Sequence, residues 1–127
     1  MTQEDKELLL NDLCARLDTN LVCSIYKTDD ESAGYRDEIL HGYCKGDIWY
    51  EFYFREDCSI SIDNVSKIKP YLFPLSSITK KRLEELSEYI DIKNAYVAVE
   101  LLNSHHIDYR GLIEKGLAID ATGLGIY

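Results

Sequence analysis

His105 and His106 stand side by side with Asp108 two positions on, a cluster of types that could ligate a metal ion. Adjacent histidines on a helix point about 100° apart, so they close on one ion only with distortion. Neither lies in an HExxH-like spacing. The four cysteines, Cys14, Cys23, Cys44 and Cys58, contain no CxxC pair, which argues against a zinc knuckle or a thioredoxin-type site. They are expected to be reduced and mostly buried, as small apolar side chains. There is no GxSxG elbow around a serine. Gly123 and Gly125 form a GxG with no strand before it and no helix after it, and a phosphate cradle needs both. Glu84-Glu85 reads as a solvated helix face. The residues thus point to no catalytic group, no metal and no cofactor, and to a protein that is not an enzyme.

Aromatic side chains are the more unusual resource. Ten tyrosines and one tryptophan occur in 127 residues. Such rings supply rigid, amphipathic contact area and are enriched in binding hot spots, although they also favour strands for packing alone. The segment 48–54 alternates. Ile48, Tyr50, Phe52 and Phe54 fall on one side, and Trp49, Glu51, Tyr53 and Arg55 on the other. The second set is the candidate binding face. A different chemistry, anion binding, would draw on Lys80, Lys81, Arg82 and Arg110. The first three open a helix and oppose its dipole.

Charge narrows the partners. Residues 1–66 hold 15 acids and 6 bases, whereas residues 67–127 hold 8 of each, so the whole net charge of −9 lies in the first half. A chain of this kind repels phosphate backbones, which argues against direct nucleic-acid binding, and it suits a basic protein surface. The start Met1-Thr2-Gln3-Glu4-Asp5 lacks the basic, then apolar, pattern of a secretory signal, and no apolar run approaches membrane-spanning length. The expectation is a soluble cytoplasmic protein.

The elements that must position these residues follow from periodicity. Thr2 and Asp5 read as a capping box for a helix over 3–18, with Leu9, Leu10, Leu13, Cys14 and Leu17 as its apolar stripe. From Leu21 to Ile62 the period changes to two, over 21–26, 35–43, 48–54 and 58–62. Short turns between these runs imply antiparallel neighbours. In the second run Tyr35, Asp37, Ile39, His41 and Tyr43 are expected on one face. Val65 to Phe73 is extended, either as a fifth strand or as an irregular crossing. Helices are expected over about Lys80–Ile90 and Lys93–Ser104. Asp108 then caps a short turn ended by Gly116, and residues 117–120 run extended toward a loose or docked end. The fold class is α+β in one domain, residues 1–127: an N-terminal helix, a four-stranded antiparallel meander and C-terminal helices.

Three segments together carry a resemblance. They are Met1 to Leu17, Lys69-Pro70-Tyr71-Leu72-Phe73-Pro74-Leu75-Ser76-Ser77, and Asp108-Tyr109-Arg110-Gly111-Leu112-Ile113-Glu114-Lys115-Gly116-Leu117-Ala118. The chain resembles small uncharacterised proteins encoded by phages and mobile elements of gut Bacteroidales. That resemblance implies a setting, the cytoplasm of an infected or element-bearing bacterium, and supplies no site residues. With the acidic, aromatic composition, it leads to the expectation of an accessory protein that binds a basic host protein, for example an inhibitor of host defence. Two alternatives stay open: a small-molecule or nucleotide-binding protein, and an oligomeric component of a virion or of replication.

Overall fold

A computed structural model describes residues 1–27, 34–45, 50–54, 58–78, 84 and 95–127. The first helix, α1 (Gln3–Ala15), starts where the cap demands. The Thr2 hydroxyl accepts from the Asp5 N–H at 3.1 Å, and the Asp5 carboxylate accepts from the Thr2 N–H at 3.4 Å. Leu9 and Leu13 are fully buried from its inner face. Cys14, expected on that stripe, is exposed, and the buried positions beside the leucines are instead Asp12 and Arg16. Cys23 is buried as expected, and desolvation, followed by the charge of Asp12, pushes its thiol far up in pKa. The Cys44 and Cys58 side chains lie outside the described set.

After a turn through Asn20, which adopts a left-handed conformation at φ 54°, the meander unrolls. It comprises β1 (Val22–Lys27), β2 (Gly34–Lys45), β3 (Tyr50–Phe54) and β4 (Cys58–Ser61). Each strand pairs antiparallel with the next. A 3-10 turn (Ile62–Lys67) carries the chain under α1 to β5 (Ile68–Pro74), which lies antiparallel to β1 on its far side. The α2 helix (Ala95–Ser104) follows, then two two-residue strands, β6 (Ile107–Asp108) and β7 (Ile119–Asp120), both parallel to β5.

Among the described residues the sheet is therefore mixed and seven-stranded, in the order β4-β3-β2-β1-β5-β6 with β7 also on β5, rather than a four-stranded meander. The extra strands lack the signal that marks the first four. β5 is buried at four of its seven positions, three of them consecutive, so it shows no strict alternation, and β6 and β7 are too short to show a period. The helix expected over Lys80–Ile90 lies outside the described residues apart from Glu84.

Register decides which side chains share a face. Cys23, Ile25, Leu40, Phe52, Phe54, Ile60, Ile68 and Leu72 line the core side of the sheet under α1, with Tyr43 packed against them. In β2 the pairing slips: Leu40 faces Phe54, and Gly42, two residues on, faces Tyr53, one residue on. That bulge places both Leu40 and Tyr43 on the core side, where the Tyr43 ring meets Phe52 at 5.0 Å. Strict alternation through Tyr43 is thereby corrected.

Candidate binding face

On the side of the sheet away from the core, cross-strand pairing brings Tyr26 opposite Tyr35 and Ser24 opposite both Asp37 and Lys69. Tyr35 is 71% exposed, and its ring meets that of Tyr26 edge to face, with centroids 5.1 Å apart. Asp37 is also exposed, and it is held in place. Its Oδ1 accepts a 2.7 Å hydrogen bond from the hydroxyl of Tyr71, a buried residue of β5. Burial, then the bond to Asp37, raises the Tyr71 pKa, so the phenol stays a donor.

Glu51 and Tyr53 lie on the same side of the sheet, on β3, with Tyr53 37% exposed and Glu51 half-buried. The other two members of the expected face, Trp49 and Arg55, lie outside the described residues. From Asp37 to Gly42, the partner of Tyr53, is five residues of strand, or roughly 16 Å. Two aromatic–acid groups thus mark opposite ends of one surface on β2 and β3.

The other end of the sheet is closed by the C-terminal segment. Tyr127 donates a 2.7 Å hydrogen bond from its hydroxyl to the Tyr71 carbonyl and accepts from the Val22 N–H at 3.1 Å. Its ring stacks on His106 at 3.8 Å and 12° and lies 5.8 Å from Phe73. The end of the chain is docked. His106 sits at φ 60°, is 8% exposed, and keeps a buried Nδ1 without a hydrogen-bond partner. Burial first, then Arg16 and His105, lowers its pKa to about 4.

Arg110 of the anion set and Asp108 of the metal-type cluster have structural work. Arg110 gives Nη1 to Asp12 at 2.7 Å, and its guanidinium covers the Tyr109 ring at 4.5 Å. Arg16, wholly buried, donates from Nε to Asp12 at 3.0 Å and from Nη2 to the Ile107 carbonyl at 2.6 Å. This brace ties α1 to the residues after α2. Asp108 accepts from the Leu112 and Ile113 N–H groups, each at 2.9 Å, while His105 is exposed. Among the described residues no three His, Cys, Asp or Glu side chains gather as metal ligands. Lys80, Lys81 and Arg82 lie outside the described residues.

No protein-family model, curated protein or solved structure matches this chain. Among the described residues no helix is long and apolar enough to cross a membrane. Sequence reasoning singled out Glu51 and Tyr53 and did not join Tyr35 and Asp37 to them. Their signal is present, an aromatic and an acid two apart at the start of an alternating run. It is identical to that of a strand facing solvent for solubility alone.

Proposed function

We propose that this chain is a non-enzymatic binding protein that covers a basic surface on another protein with the solvent side of its sheet. In the setting implied by the resemblance, it is an accessory protein of a phage or mobile element acting on a host protein in the bacterial cytoplasm. The observation that carries the reading is Tyr35, a large ring left 71% exposed in a strand, beside an acid held by the Tyr71 hydroxyl on the same face. Exposed tyrosines next to carboxylates supply anchors and electrostatic steering for a cationic partner. The net charge of −9, concentrated in residues 1–66, points the same way.

The nucleotide-binding alternative draws less support. One nitrogen of Arg110, the described member of its anion-binding set, is spent on Asp12. The test is capture of a protein from host lysate by tagged wild type and by Tyr35→Ala/Glu51→Lys, with circular dichroism as the folding control. The partner should be lost with the double substitution. Retention at equal yield, or a nucleotide released from the pure protein on denaturation, would refute the reading.

A further inference from the structure

We infer that Tyr26, Tyr35 and Asp37 form a seat for one lysine or arginine side chain of an extended basic segment, an inference that rests on the binding-face reading and gives it a chemistry. Three observations support a cation here. The edge-to-face contact with Tyr26 orients the Tyr35 ring and still leaves 71% of that residue open, and an exposed tyrosine face attracts an ammonium or guanidinium within about 6 Å. Asp37 commits Oδ1 to Tyr71, which fixes the carboxylate on the adjacent row of the same face, where it can pair with the same incoming charge. The support is rigid, because Tyr71, on the same face two strands away, is itself buried.

The surroundings set direction. Lys69 ends the Asp37–Ser24 row two strands away, roughly 10 Å off, so cationic neighbours of the seated side chain are disfavoured on the β5 side. Toward β3 the same face offers Glu51 and Tyr53. A basic segment would therefore run along β2 from the Tyr35 end to the Tyr53 end. That span of roughly 16 to 23 Å corresponds to five to seven extended residues.

The test uses the full chain and a hexa-arginine peptide, with hexaglutamate and a six-nucleotide oligothymidine as controls, each followed by isothermal titration and by backbone amide shifts. Hexa-arginine should bind and weaken as salt rises, and its shifts should centre on residues 24–26 and 35–37. Tyr35→Ala and Asp37→Asn should each weaken it by about fivefold, whereas Tyr35→Trp should hold or tighten it, since indole is the better cation acceptor. Substitutions at Tyr35 and Asp37 that leave the affinity unchanged would overturn the seat, as would equal binding of either control. Dependence on Glu51 and Tyr53 alone would also overturn the seat while leaving the binding face standing. If hexa-arginine binds through the seat but host-protein capture ignores every substitution on this face, the seat stands as chemistry and the functional reading fails.

Discussion

Asp12 has no exposed surface and accepts from two arginines, so truncating it strands a buried guanidinium. Removing one partner of a buried ion pair typically costs about 3–5 kcal/mol. Asp12→Ala should fall in that range by urea denaturation. Arg110→Ala should cost roughly 1 kcal/mol, because that side chain is 23% exposed and water replaces its partner. Equal losses would show that the brace is not centred on Asp12. His106 makes a second prediction at this scale. Its pKa is about 4 in the folded chain against 6.5 when unperturbed, so the unfolded state takes up the proton first as pH falls. Stability should therefore drop between pH 6.5 and 4, by up to about 1.4 kcal/mol per pH unit, and this contribution levels off below pH 4. His106→Asn, which tolerates the left-handed backbone, should show a flatter pH dependence in urea. An unchanged slope would exonerate His106. The leucine spacing of α1 is legible in the sequence, and Leu9 and Leu13 sit where it puts them. The Asp12–Arg16 spacing of four is local, but burial of the pair is not legible locally, because their remaining partners lie 87 to 98 positions away.

At the scale of elements, the meander is legible because its four strands alternate and its turns are short, and the capping box of α1 is legible for the same local reason. The bulge in β2 has one local signal, Gly42 inside the strand, but only pairing to β3 reveals the extra position. This yields a sharp contrast between two deletions. Removing His41 converts the bulge to a regular ladder and keeps both Leu40 and Tyr43 on the core side, so the fold should survive with a loss of about 1–2 kcal/mol. Removing Ser24 reverses the faces on one side of the cut, since alternation has period two, and should abolish cooperative unfolding. Thermal melts of the two deletion variants decide between these outcomes. Comparable melting of both would mean that the register is not fixed by the core face.

Across the whole molecule, the two ends of the sheet are unlike. The β5 end is capped by β6, β7 and the stacked His106–Tyr127 pair, and the brace of Asp12, Arg16 and Arg110 secures it to α1. The strands that carry Tyr35, Asp37, Glu51 and Tyr53 hold an exposed surface within the half of the chain that bears the entire net charge. On the proposed reading, stability and recognition belong to different regions, and substitutions on one should leave the other intact. Site-specific photocrosslinking tests that division most directly. A benzophenone amino acid replaces Tyr35 in one variant and Glu114, exposed in the C-terminal turn, in another, and each is expressed in a host bacterium. The binding-face account predicts a discrete crosslinked host protein from position 35 and none from position 114. Crosslinking from position 114 with none from position 35 would contradict it.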